Sequence, residues 1–139
     1  MNIRKPTDYT TMFAALDAAV AAQLPQMEMY CEIGRVVSGR AEKGAAVAAS
    51  EYLQAAYPAA EGFSPRNLRR MRAFYAVYEE SPEIMRQAMN LGWTRNVAIL
   101  EGCGSNEERA WYIRAALRFG WKKAKLLESI KTQAWRNSS

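Results

Sequence analysis

One segment of the chain, residues 62–75, constrains the fold more than any other. It begins Gly-Phe-Ser-Pro and continues with four arginines, which are Arg66, Arg69, Arg70 and Arg72. Ser64 can accept a hydrogen bond from a free backbone N–H of a first helical turn, and Pro65 suits the first helical position because its φ is already helical. The segment therefore predicts a helix over residues 64–78.

The predicted helix has an apolar side and a basic side at about 100° per residue. The apolar side carries Leu68, Met71, Phe74, Tyr75 and Tyr78, and the other side carries Arg66, Arg69, Arg70 and Ala73, with Arg72 at its edge. No acidic residue lies between Ser64 and Tyr78, so the arginines have no carboxylate partner on their own helix. This favours an external anion such as phosphate or a base edge. The alternative is a surface helix whose arginines pair with acids elsewhere in the fold.

Charge and residue usage narrow the classes of function. The 139 residues include 19 basic and 14 acidic side chains and no histidine, for a formal net charge of +5. The basic excess favours nucleic acid or another polyanion as partner. Without histidine there is no His-based catalytic triad or His metal ligand, and Cys31 and Cys103 lack the close spacing of a zinc site. We expect a non-enzymatic protein with two reduced thiols and with no metal or cofactor.

Helical periodicity also runs before and after this segment, and no strand alternation is present. The predicted helices begin at Thr7 or Asp8, near Gln26, near Glu42, after Ser81, at the cap Thr94, at the cap Ser105 and at Trp121. Pro25 either starts the second helix or kinks one long helix. The pattern predicts an all-α, multi-helix single domain over residues 1–139. It places a helix-turn-helix-like unit at about 42–78 and a C-terminal helical part at about 82–135.

Two further patterns bear on partners and location. Lys122, Lys123 and Lys125 cluster in the first turn of the last predicted helix, where cations oppose the helix dipole. They either bind an anion or are simply solvated. No apolar run reaches the roughly eighteen residues of a membrane span, so we expect a soluble, cytoplasmic protein that does not bind membranes.

Several short motifs, taken in order, resemble the N-terminal domain of the bacterial YhcG family. They are YCEIGR at 30–35, the segment 62–75, LGWT at 91–94, ERAWY at 108–112, and GW at 120–121 followed by Leu127 and Ile130. The resemblance covers about residues 26–131. It implies a helical, helix-turn-helix-like DNA-binding module, which in this family commonly precedes a PD-(D/E)xK nuclease domain.

The chain differs from the family pattern in three places. It has Cys31 where Trp is frequent, Arg95-Asn96 where His often follows Trp-Thr, and Lys122 where Ser often follows Gly-Trp. In addition, no acidic residue is followed two positions later by Lys, and the chain ends where the nuclease domain would begin. Cleavage of a phosphodiester with metal ions would need clustered carboxylates, so nuclease activity is not expected.

Together these patterns predict a non-catalytic domain that binds double-stranded DNA. The residues assigned to the contact are Arg66, Asn67, Arg69, Arg70 and Arg72, with Lys122, Lys123 and Lys125 on the flanking backbone. The alternative is a protein-interaction or assembly module that partners or inhibits a separate effector such as a nuclease. A homodimer is left open, because no heptad repeat defines a dimer seam.

Overall fold

The computed structural model describes residues 7–137, so the first six and last two residues of the predicted 1–139 domain lie outside the described part. Residues 7–137 form an all-α single domain with no strand, which confirms the predicted fold class. The helices are α1 Thr10–Ala21, α2 Gln26–Ser38, α3 Gly44–Ala56, α4 Pro65–Tyr78, α5 Pro82–Ala88, α6 Trp93–Gly102, α7 Asn106–Phe119 and α8 Lys123–Lys131, followed by a 3-10 turn at Ala134–Asn137.

Local signals set several helix ends as the sequence predicts. The Ser64 hydroxyl accepts a hydrogen bond from the backbone N–H of Asn67 at 3.1 Å, which caps α4. The Ser105 hydroxyl accepts from the backbone N–H of Glu108 at 3.2 Å and caps α7 in the same way. Pro25 lies at the N-cap of α2, so it separates α1 from α2 and does not kink one long helix.

Three predicted helix starts are wrong. α1 begins at Thr10 and has Tyr9 at its N-cap, so neither Thr7 nor Asp8 caps it. α6 begins at Trp93 and has Gly92 at its N-cap, so Thr94 is already inside the helix. Gly92 has a φ of 85°, a conformation that glycine adopts without steric cost. α8 begins at Lys123, and Trp121 precedes it in a non-helical connection. There the Trp121 carbonyl accepts a hydrogen bond from Arg95 Nη1 at 3.1 Å.

α4, like α2, contributes buried side chains to both hydrophobic clusters of the core. Its first half places Leu68 and Met71 in a cluster built with α1, α2 and α3. Its second half places Phe74 and Tyr78 in a cluster built with α5, α6, α7 and α8. These four side chains are fully buried. The inner side of α4 is therefore fixed along its whole length, and its outer side is held in a defined position.

α2 and α4 pack closely because a glycine lies between them. A Cβ at Gly34 would overlap the backbone carbonyl of Met71. Small residues at a helix contact allow the two backbones to approach, and here only a hydrogen fits. This contact fixes α4 against α2 and so determines which side of α4 faces outward.

α3 and α4 pack on each other as the predicted helix-turn-helix-like unit requires, but residues 57–64 connect them. That connection is longer than the turn of roughly three to four residues found in helix-turn-helix motifs. Gly62 within it has a φ of 90°, and a Cβ there would overlap the hydroxyl of Tyr30. The connection is thus fixed against α2 immediately before α4 begins.

Candidate nucleic-acid interface

Arg66 and Arg69 are the two exposed arginines of α4. Neither guanidinium group makes a hydrogen bond or an ion pair with another residue between 7 and 137. They lie about one turn apart, so both project from the same side of the helix. These two cations are available to an outside anion.

Arg70 is paired inside the fold. Its Nη2 lies 2.7 Å from Oε1 of Glu101 on α6, with 25% of the Arg70 side chain and 48% of the Glu101 side chain exposed. Arg70 Nε is buried and has no acceptor. The alternative that the sequence left open, a partner elsewhere in the fold, therefore holds for Arg70. One of its N–H groups is nevertheless still without an acceptor.

Arg72 is also held by the protein, although its partners are carbonyls and not carboxylates. Its Nη1 donates to the backbone carbonyl of Glu42 at 3.1 Å, and its Nη2 donates to the backbone carbonyl of Arg40. The side chain is half-buried under the connection between α2 and α3. Arg72 therefore fixes this connection to α4.

Asn67 links the start of α4 to its neighbours. Its Nδ2 donates to the backbone carbonyl of Gly62 at 2.6 Å, and its Oδ1 accepts from the indole Nε1 of Trp93 at 2.9 Å. Both ends of the side-chain amide are therefore engaged within the fold. Trp93 in turn packs against both hydrophobic clusters, so this link ties the first turn of α6 to the first turn of α4.

Lys122, Lys123 and Lys125 are exposed at the start of α8. Lys122 is the N-cap residue, and no acidic residue is present in the first turn of this helix. The positive end of the helix dipole therefore adds to the charge of these lysines. Of the three, Lys123 lines the same cleft as Arg70.

Two adjoining grooves bring these residues together. The larger, with a volume of about 530 Å³, lies between α4, α6 and α8 and is lined by Asn67, Arg70, Trp93, Thr94, Val97, Ala98, Glu101, Gly102, Lys123 and Leu127. The smaller, of about 410 Å³, lies between α4, α6 and α7 and is lined by Arg66, Arg69, Arg70, Ala73, Val77, Leu100, Glu101 and Arg109. Both grooves include Arg70 and Glu101. We call the surface formed by Arg66, Arg69, Arg70 and Lys123 the basic surface.

Sequence reasoning missed Glu101 and Arg109, which tertiary packing brings to α4. Arg109 Nη1 donates to Oδ1 of Asn106 at 3.0 Å, and its Nη2 donates to the backbone carbonyl of Cys103 at 2.8 Å. Arg109 therefore holds the connection between α6 and α7 in place. No pattern within α6 or α7 would have placed either residue beside the arginines of α4.

The two cysteines are not poised for nucleophilic chemistry. Both are free thiols, and burial raises the pKa of Cys103 to about 12. Burial likewise raises the pKa of Cys31, whose thiol lies 3.9 Å from the sulfur of Met85. Both groups stay protonated near neutral pH, because the thiolate is disfavoured away from water.

Two features are absent from the part of the chain that the structure describes. Residues 7–137 contain no cluster of three or more Cys, Asp or Glu side chains that could hold a metal ion. None of the described helices has the length and hydrophobicity that crossing a membrane would need.

The fold and the basic surface define a small all-α domain with an arginine-bearing central helix. The chain matches the family model of the DUF1016 N-terminal domain over residues 12–137. Because this match spans nearly the whole chain, the protein belongs to that family, and the resemblance to the N-terminal domain of the YhcG family is confirmed. No curated protein and no solved structure matches the chain.

Proposed function

We propose that this domain binds double-stranded DNA through the basic surface, without catalysing a reaction. The observation that carries the proposal is that Arg66 and Arg69 are exposed, unpaired within residues 7–137, and adjacent on a rigid helix. Guanidinium groups bind phosphate oxygens with two parallel hydrogen bonds, and they also match the guanine edge in the major groove. In this reading α4 is the helix presented to the duplex, as in a helix-turn-helix protein.

The other predicted contact residues take different roles in this proposal. Arg70 exchanges Glu101 for a phosphate oxygen, which would also supply the missing acceptor for its Nε. Lys123 contacts the flanking backbone across the larger groove, and Lys122 and Lys125 extend that contact. Asn67 and Arg72 are positioning residues, because their polar atoms are already bonded within the fold.

The test is duplex binding measured by fluorescence anisotropy over a series of salt concentrations. For the Arg66→Gln, Arg69→Gln double variant we expect weaker binding and a smaller slope of log affinity against log salt. The slope should fall by roughly 0.9 for each phosphate contact that is lost. The circular dichroism spectrum and the unfolding midpoint should not change, since both side chains are exposed.

The matched control is the Arg86→Gln, Arg136→Gln double variant, which removes the same total charge from exposed sites that line neither groove. We expect it to lower affinity only slightly and to leave the salt slope close to that of the parent protein. Equal effects of the two double variants would show that net charge alone attracts the duplex, and would refute the assignment to α4.

A protein-interaction module is the second candidate, and one observation favours it. The larger groove is lined by the apolar side chains of Trp93, Val97 and Leu127 as well as by Arg70 and Lys123, and Leu127 is 44% exposed. An amphipathic acidic segment of a separate effector such as a nuclease would suit such a lining. Replacing Leu127 with Ser should then abolish binding of that effector, whereas duplex binding should hardly change.

The proposed site of action is the cytoplasm. Cys31 and Cys103 are both free, as expected where thiols are kept reduced.

A further inference from the structure

The outer face of α7 carries a pattern of residues that the basic surface does not use. Glu107, Trp111, Arg114 and Arg118 follow one another along this face, and the groove they line with Ala115 and Phe119 has a volume of about 390 Å³. At about 100° per residue, Arg109 projects from nearly the opposite side of α7. We infer that this face binds the same face of a second copy of the chain, with the two α7 helices antiparallel.

The order of the residues makes the face complementary to itself. A two-fold axis that passes between positions 112 and 113 places residue i of one copy opposite residue 225 − i of the other copy. Glu107 then faces Arg118 of the partner subunit, and Trp111 faces Arg114 of the partner subunit. Each contact occurs twice, as two-fold symmetry requires. The dimer therefore gains two ion pairs and two contacts between a guanidinium group and an indole face.

The charged groups that would form these contacts are available. Glu107 is exposed and has no hydrogen bond or ion pair with another residue between 7 and 137. The Arg118 guanidinium lies over its own Phe119 ring, 5.3 Å from the centroid, and forms no ion pair there. Arg114 uses only Nε, which donates to Oε1 of Gln87 at 3.2 Å.

Charge decides between a second copy and other occupants of this face. A nucleic acid or an acidic peptide would meet Arg114 and Arg118 favourably but would be repelled by Glu107 at the other end. A second copy in the antiparallel orientation places opposite charges together at both ends. The 61% exposed Phe119 ring adds apolar area beside the ion pairs. Because the Arg109 side of α7 stays outside the contact, the smaller groove, which Arg109 lines, remains open in the dimer, and dimerisation does not require nucleic-acid binding.

The dimer should be weak, since one helix pair buries less than a standard interface of about 1,600 Å². In sedimentation velocity, we expect the mass to rise from 15.7 kDa towards twice that value as the protein concentration increases. Glu107→Arg or Arg118→Glu alone should place like charges together, and should require about ten-fold more protein for the same association. The double variant with both reversals restores opposite charges, and should associate within about three-fold of the parent protein.

Circular dichroism separates loss of the contact from loss of the fold. Both reversals oppose the dipole of α7, so the double variant is the least favourable one for the helix, and its recovered association cannot come from better folding. If a reversal unfolds the chain, Glu107→Gln and Arg118→Gln remove the attraction alone and should each weaken association about three-fold. Glu51→Arg and Arg136→Glu carry the same charge changes outside this face and should associate like the parent protein.

Four outcomes would overturn the inference. The parent protein could stay at 15.7 kDa at every concentration. The single variants, reversed or neutral, could associate like the parent protein. The double reversal could be no better than the single ones. Association that requires added duplex or an added acidic peptide would assign the face to that ligand instead.

Discussion

Arg70 of α4 and Glu101 of α6 form an ion pair at the boundary of the two grooves, with Nη2 and Oε1 2.7 Å apart. The pair places a carboxylate where the proposed function places a phosphate. The Glu101 carboxylate would repel that phosphate. Replacing Glu101 with Gln should therefore release Arg70 and remove the repulsion. Because partly exposed pairs of this kind contribute about 0.2–1 kcal/mol, duplex affinity should rise by about 1.4- to 5-fold.

Glu51→Gln is the matched control for this change, since Glu51 is exposed on α3 and lines neither groove. It should alter affinity much less than Glu101→Gln, and anisotropy titrations at one salt concentration measure both. Unchanged or weaker binding by Glu101→Gln would mean that the phosphate backbone does not reach Arg70.

Arg72 and Arg69 lie on the same helix and should respond oppositely to the same substitution. Arg72→Gln removes two hydrogen bonds from a charged donor to partly buried backbone carbonyls, so it should lower the free energy of unfolding by about 2 kcal/mol. Arg69→Gln should leave unfolding unchanged and weaken duplex binding. Urea unfolding and anisotropy on both variants test this, and a stable Arg72→Gln protein with a reduced salt slope would contradict it.

Gly34 should not tolerate even a methyl group. Ala favours a helix over Gly by about 1 kcal/mol, but a Cβ at this position overlaps the backbone carbonyl of Met71, which cannot move without shifting α4. We expect Gly34→Ala to lower the free energy of unfolding by about 3 kcal/mol in urea titrations.

The control is Gly44→Ala, where the added Cβ meets only the Tyr9 hydroxyl at 3.7 Å. This change should raise stability by about 0.5 kcal/mol through the unfolded chain. Similar results for the two glycines would rule out the close approach of α2 and α4.

Asp17 should make the attachment of α1 to α3 sensitive to pH. Its two carboxylate oxygens accept hydrogen bonds from the hydroxyls of Tyr52 at 2.5 Å and Tyr57 at 2.8 Å. These bonds lower the pKa of Asp17 below its usual value of 3.8, with Tyr52 the larger contributor. A lowered pKa in the folded state gives stability that is present above pH 3.8 and is lost as the pH falls through the lower value.

Asp17→Asn should therefore be less stable than the parent protein near pH 6, and the difference should shrink below about pH 4. Thermal unfolding measured from pH 6 to pH 2.5 tests this. If the difference in stability between the two proteins did not depend on pH, the two tyrosine hydrogen bonds would not favour the charged form of Asp17.

The start of α4 could be predicted because its signal is local. Ser64 and Pro65 act within one turn of the chain, and the hydroxyl of Ser64 caps the helix as expected. The partners of the arginines could not be predicted in this way, because they come from distant parts of the sequence. Arg72 bonds to a carbonyl 30 residues away, and Glu101 reaches Arg70 only after α6 packs against α4.

The wrong start of α6 also has a long-range cause. Thr94 is a good cap by residue type, but Trp93 is already helical because its indole is bound to Asn67 and the backbone at Gly92 has a positive φ. Long-range contacts therefore moved a boundary that local propensity placed two residues later. The sequence pattern placed Arg66, Arg69 and Arg70 alike on one face, and only the ion pair with Glu101 separates Arg70 from the two exposed arginines.

Because α4 contributes side chains to both hydrophobic clusters, neither half of the molecule has a complete interior without it. Backbone amides in the middle of α4 should then exchange with deuterium only when the entire domain opens, whereas amides of the short α5 exchange through smaller fluctuations. A duplex bound to Arg66 and Arg69 would contact the helix that opens most slowly. Binding should therefore slow amide exchange in the helices packed on both sides of α4.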